Sequence, residues 1–204
     1  MTKAILICLL LSASLDALAQ QNGQTFTSAD GTYQFTFPNY FVRCMQPPTV
    51  DWSPEDCEAY IPVCPFSQNA TNLACVAYPK SRYKDYPTYG AAAFSAVEMQ
   101  DFKTEEDCLK VSDALSLPQD GKKTVVIHGV SFKAFDQDGA GMSHDLDGNV
   151  YRTFHSGKCY ELATRITTTN PGVFDEPVKQ LSNDDLKKLH KSLWQVAQSF
   201  RFLK

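Results

Sequence analysis

The sequence predicts an α+β protein, a central antiparallel sheet covered on both faces. Three observations predict it. Two-residue or Gly-containing turn signals at Asp30-Gly31, His128-Gly129 and Ser156-Gly157 each separate runs of alternating apolar residues. The last of these hairpins is apolar on both faces, so both faces need cover. One strongly amphipathic helix follows near the C-terminus, after Ser182.

The hairpin Val150–Thr168 is the centre of the predicted sheet. With Ser156-Gly157 as its turn, Arg152 faces Glu161 and Phe154 faces Cys159. Because side chains alternate, Tyr151, Thr153, Tyr160, Leu162 and Ile166 share one face. Val150, Arg152, Phe154, Cys159, Glu161 and Ala163 share the other. An Arg–Glu pair buried among such neighbours fixes register more than it adds net stability. Arg152, His155 and Glu161 are the group to inspect for a ligand site.

Met1–Ala19 reads as a secretory signal, with Lys3, the apolar run Ala4–Leu11 and the small-x-small site Ala17-Leu18-Ala19. That run is too short to span a bilayer, and no later stretch is long and apolar enough. The expectation is therefore an exported chain, periplasmic or secreted, with no transmembrane segment. Residues 20–204 are read as one domain. The formal net charge of −4 and the absence of a basic block exclude nucleic acid as an expected partner.

Six of the seven cysteines lie beyond the signal. An even count in an exported chain implies disulfides, for which fifteen pairings are possible. The expected set is Cys57–Cys64 as a local loop, Cys44–Cys75 enclosing it, and Cys108–Cys159 tying a short helix to the central hairpin. A zinc site is disfavoured because there is no C-x-x-C pair and the histidines are scattered.

In chain order, Phe26–Phe37 is a hairpin about Asp30-Gly31, with Tyr33, Phe35 and Phe37 alternating. Residues 44–79 are a cysteine- and proline-rich excursion held by disulfides. It contains a sequon at Asn69, a short helical turn at Trp52–Glu55 and a strand at Leu73–Tyr78. Lys80–Thr88 is a tyrosine-bearing loop at the sheet edge. Ala93–Met99 is a strand, and Thr104 opens a short helix running through about Val111. Lys122–Gln137 is a hairpin with Val125, Ile127, Val130, Phe132 and Ala134 on one face. Ser182 and Asp185 form a capping box for the terminal helix. Its stripe is Leu186, Leu189, Leu193, Val196, Ala197 and Phe200, with a short strand after it.

Asp136–Asn149 is rich in aspartate and glycine and reads as a flexible loop between strands. It fails the calcium-loop pattern: a loop begun at Asp136 has Ala140 at position five and Asp147 at position twelve. An irregular calcium site from Asp136, Asp138, Asp145 and Asp147 is the alternative reading.

The segments DGTYQFTFP, YRTFHSGKCYELA and SFRFLK together resemble the PsbP-like family, which includes extrinsic photosystem proteins, a yeast Ran-binding protein and exported bacterial domains. The resemblance covers roughly Phe26–Phe37 and Ala91–Leu203, and is nearest to the bacterial set. It implies an α/β/α sandwich around an antiparallel sheet, with residues 44–79 as an elaboration. It brings over no catalytic residue, and fold alone does not give function.

The chain carries no G-x-S-x-G elbow, H-E-x-x-H or phosphate-binding loop. Pairing of all six cysteines removes a thiol nucleophile. The functional expectation is an exported, non-catalytic binding or accessory domain for an envelope or extracellular protein or a small ligand. A calcium-binding accessory protein is the alternative, and a secreted hydrolase comes behind both. No cofactor is expected beyond that calcium.

Overall fold

The computed structural model describes residues 23–44, 55–64 and 70–203. The signal, the sequon at Asn69 and most of the Trp52–Glu55 turn lie outside them. Among the described residues, seven strands form one antiparallel sheet: β3 (Val42–Cys44), β4 (Ala70–Ala77), β5 (Tyr89–Met99), β6 (Thr124–Ile127), β7 (Val130–Gly141), β8 (His144–His155) and β9 (Lys158–Thr169). Their order across the sheet is β3-β4-β5-β9-β8-β7-β6. A second sheet of order β1-β2-β10 is made by β1 (Gly23–Thr27), β2 (Tyr33–Pro38) and β10 (Arg201–Phe202).

The turns set the register. Ser156 and Gly157 both take positive φ (50° and 77°), as do His128 and Gly129 (46° and 81°). That conformation matches the right-handed twist of the flanking strands and closes each hairpin with two residues. Arg152 consequently faces Glu161, and Ile127 faces Val130.

Asp136–Asn149 is not the flexible loop the sequence suggested. It is the continuation of β7 and β8, paired residue by residue from Asp136↔Asn149 to Gly141↔His144. The turn residues are Met142 and Ser143, both at positive φ (49° and 65°) without a glycine between them. Gly139 and Gly141 lie within the ladder itself, which is why the composition read as a loop. β5 begins at Tyr89, four residues before the expected start. The short helix α1 is only Glu105–Cys108, capped by the Thr104 side chain.

One face of the large sheet packs beneath α2 (Asn183–Gln198) and the small sheet. Ser182 accepts from the Asp185 backbone, and the Asp185 side chain accepts from Ser182, closing the capping box. Leu189, Leu193, Val196 and Ala197 are buried against Phe94, Leu162, Ile166 and Tyr160. Each leucine so buried contributes about 1.5–3 kcal/mol. Tyr33, Phe35, Phe94 and Phe200 form an aromatic seam joining the two sheets, with ring centroids 4.9 Å apart for Phe35–Phe94 and 5.1 Å for Tyr33–Phe200. The tyrosines of the Lys80–Thr88 loop pack on one another, Tyr83 lying 5.5 Å from Tyr86 and 4.9 Å from Tyr89.

The opposite face is covered by α1, the chain around Leu115 and the cysteine-rich excursion. Cys108 is joined to Cys159. The other two expected disulfides are corrected: Cys44 is bonded to Cys57, and Cys64 to Cys75. Cys44 and Cys75 do stand opposite each other in the β3–β4 ladder. Residues 55–64 of the excursion lie over the sheet, with Val63 buried against Ala77, Ala91 and Ala93. Each strand cysteine therefore meets a cysteine from the overlying chain.

Candidate functional site

At the β6 edge the ladder with β7 opens. The Ala134 N–H donates to the Lys123 carbonyl at 2.9 Å, and beyond that point the edge chain bulges away. It returns at Ser116, which exchanges two backbone hydrogen bonds with Asp136 (3.0 and 2.9 Å). Between these anchors, residues 117–122 loop out through a turn in which the Gly121 N–H donates to the Pro118 carbonyl.

A cleft of about 390 Å³ lies between this loop, the helix-facing side of β7–β8 and α2. Pro118, Gln119, Asp120 and Lys122 form its loop wall. Ala134, Asp136, Asn149 and Tyr151 form the sheet wall, and Trp194 closes it from the helix. The Tyr151 and Trp194 rings are 5.1 Å apart.

Two carboxylates, Asp120 and Asp136, and one ammonium, Lys122, line the cleft. Burial raises the Asp136 carboxyl above the usual aspartate range, a backbone N–H from Gln119 opposes this, and the nearby charges of Asp138, Asp120 and Asp147 add to the rise. Burial also pushes Tyr151 up to about 12, so it is a neutral hydroxyl-bearing wall at any ordinary pH. Lys122 lies 3.7 Å from Asp120 and is largely exposed. Such a site offers negative potential and aromatic faces to a ligand.

The four aspartates singled out in the sequence lie along one ladder. Asp138 faces Asp147 directly, and Asp145 faces Ala140. Alternation puts all four on the helix-facing side. Asp147 accepts a 2.9 Å hydrogen bond from His190 of α2, which pulls its carboxyl below the usual range against the effect of burial. Asp136 belongs to the cleft. Among the described residues, the only trio of His, Cys, Asp or Glu ligand atoms within 4.8 Å of one another is that of Cys44, Cys64 and Cys75.

Arg152 and Glu161 are together on the other face, but His155 is not with them. Its ring stacks on Phe202 at 4.0 Å, one residue out of phase with Arg152 and hence across the sheet. Arg152 Nε and Nη2 each lie 2.9 Å from Glu161 Oε2. Arg165 joins them: Nη2 lies 3.4 Å from Glu161 Oε1, Nε donates to Gln137 at 2.7 Å, and Nη1 donates to Ser95 at 3.3 Å. All three charged residues are buried, and burial lowers the Arg165 pKa. The Arg152 guanidinium lies over the rings of Phe102 and Phe135, 5.2 and 5.7 Å from their centroids. This arrangement fixes strand register and the cover of that face. The three groups are held by one another and shielded from solvent.

Sequence reasoning did not find the cleft. Tyr151 and Asp136 lie in segments the sequence marks as candidate sites, whereas the loop 117–122 and Trp194 do not. The available signal was the Pro118–Gly121 turn beside an edge hairpin, together with Trp194 one residue beyond Leu193 on the helix stripe.

No protein-family model matches the chain, and no curated protein sequence matches it. Among solved structures it is similar to a crystal structure from Bacteroides thetaiotaomicron, at 12% identity over 90% of this chain and 49% of that one, with a TM-score of 0.45. The chain thus spans about half the length of the Bacteroides protein. It is also similar to the solution structure of PsbP (CyanoP) from the cyanobacterium Synechocystis, at 13% identity over 89% of this chain and 92% of that one, TM-score 0.44. A third is LpqN, involved in cell envelope biogenesis of Mycobacterium tuberculosis, at 10% identity over 92% and 95% of the two chains, TM-score 0.38. The class defined by the chain's own architecture is an α+β protein with a predominantly antiparallel sheet and three disulfides. Among the described residues no helix is long and apolar enough to cross a membrane.

Proposed function

We propose that this chain is an exported, disulfide-stapled accessory domain that acts by binding, and that the cleft at Asp136 takes a small organic cation. The carrying observation is the Asp136 carboxyl: part-buried in the sheet wall of the cleft, its pKa raised by desolvation and by neighbouring carboxylates, with Tyr151 and Trp194 lining the same cleft. An ammonium or guanidinium ligand would relieve that excess negative charge and lie against aromatic faces. The three disulfides and the signal-like Met1–Ala19 support export.

The test is calorimetry and chemical-shift mapping with matched aryl-alkyl amines and aryl-alkyl carboxylates. Binding of amines but not carboxylates, with shifts at Trp194 and Asn149, supports the reading. Equal binding of both series, or shifts confined elsewhere, ends it. A second reading rests on the direct opposition of Asp138 and Asp147: calcium held along the aspartate ladder. Calcium heats that vanish in Asp138→Asn but survive in Asp120→Asn would favour it over the cleft.

A further inference from the structure

We propose that Cys44, Cys57, Cys64 and Cys75 become a tetrathiolate site for zinc(II) when their two disulfides are opened by a dithiol reductant. Sulfur placement carries the inference. The Sγ atoms of Cys44, Cys64 and Cys75 all lie within 4.8 Å of one another, and Cys57 Sγ is bonded to that of Cys44. Tetrahedral zinc with Zn–S bonds of about 2.3 Å holds its sulfurs about 3.8 Å apart, which is the spacing this cluster needs. Sulfurs now joined must separate by roughly 2 Å, and Cys57 Sγ, which lies outside the group within 4.8 Å, must swing inward, movements made by rotation about the cysteine side-chain bonds.

The ligands also come from fixed positions. Cys44 and Cys75 are cross-strand partners in the β3–β4 ladder, so the sheet holds two ligands on one face. Cys57 ends a helical turn, Glu55–Cys57, and Cys64 follows buried Val63. Cys57, Cys64 and Cys75 are buried and Cys44 is part-exposed, which gives an enclosed site with one open side. The surrounding side chains are Val63, Ala77, Ala91 and Ala93, a fully buried apolar shell. The sequence lacks C-x-x-C spacing, yet the fold brings together what the spacing did not.

The chemistry balances. Two disulfides accept four electrons and four protons from two equivalents of dithiol, which is oxidised to its cyclic disulfide. The four thiols then release four protons as zinc binds the thiolates. The excursion is thereby pinned to the sheet in both redox states, by disulfides when oxidised and by metal when reduced.

The test is cobalt(II) titration of the anaerobically reduced, desalted protein, with near-ultraviolet circular dichroism reporting the fold. The expected result is one equivalent bound with the absorption bands of a tetrahedral thiolate complex, displaced by zinc. X-ray absorption of the zinc form should show four sulfurs at about 2.3 Å. Cys75→Ser should weaken binding at least tenfold, whereas Cys108→Ala/Cys159→Ala should not alter the spectrum. Reduced, folded protein that takes no cobalt overturns the proposal. So does reduced protein that has lost its near-ultraviolet dichroism and does not regain it with zinc, and so does binding equally strong in Cys75→Ser.

Discussion

Arg152 and Glu161 stand directly opposite each other across β8 and β9, 2.9 Å apart, with each residue only 6% exposed. Arg165 reaches the second oxygen of the same carboxylate. One buried anion thus serves two buried cations. Removing it leaves both without their shared counter-charge. Glu161→Gln should destabilise the fold by about 3–5 kcal/mol, the range for breaking a buried pair from one side. Urea denaturation reads it as a lower midpoint at unchanged slope. The double variant Arg152→Met/Glu161→Leu should lose less than Glu161→Gln alone, because it buries no unpaired charge between those two positions.

Asp136 bears the opposite relation to stability. Its folded-state pKa lies above the ordinary value, so the folded protein binds its proton more tightly than the unfolded chain does. The stability this gives is full below the unfolded pKa and is lost as pH rises through the folded one. At neutral pH the ionised carboxylate is a net cost. Asp136→Asn should therefore raise the Tm at pH 7, leave it unchanged or lower at pH 3, and weaken amine binding at least tenfold. Equal Tm shifts at both pH values would mean that the charge is not the cause. A stabilised variant that has lost its ligand would mark Asp136 as kept for binding.

Gly148 allows a close approach within the same ladder. A Cβ there would lie 2.9 Å from the Thr164 carbonyl oxygen and 3.3 Å from that of Gln137, with Arg165 Cγ at 3.4 Å. Both oxygens are backbone, so they move only if the strands do. Gly148→Ala should cost about 1–3 kcal/mol, measured by thermal or urea unfolding. By contrast Gly139, whose nearest neighbour is the Leu146 side chain at 3.7 Å, should accept alanine with little change. Equal losses at both positions would show that backbone freedom, not contact, governs the ladder.

What could be read from the sequence follows the range of the interactions. The Ser156-Gly157 and His128-Gly129 turns set their hairpins through two backbone conformations each, so the facing of Arg152 by Glu161 was local information. The capping box at Ser182 and the stripe from Leu186 to Phe200 were local too. The turn at Met142-Ser143 was hidden because neither residue advertises positive φ, while Gly139 and Gly141 nearby are extended ladder residues. His155 is near Arg152 in sequence, but strand alternation sends it to the other face, where it stacks on Phe202. The cleft depends on a loop returning at Ser116 to β7 and on Trp194 from a helix far along the chain. No short window contains that juxtaposition.

The disulfide pairing has the same origin, and it gives the most direct test of the excursion. Sequence nearness favoured Cys57–Cys64, whereas the fold bonds Cys44 to Cys57 and Cys64 to Cys75. Mass mapping of non-reduced peptides from the oxidised protein should recover these two links and Cys108–Cys159. The links also differ in consequence. Cys108–Cys159 closes a loop spanning 51 residues of sequence separation, against 13 and 11 for the others. In the chain-entropy view the longest loop constrains the unfolded chain most. Cys108→Ala/Cys159→Ala should thus lower stability by about 2–4 kcal/mol, and by more than Cys64→Ala/Cys75→Ala does. The reverse order would mean that the excursion's packing over Ala77, Ala91 and Ala93, and not loop closure, is what its cysteines protect.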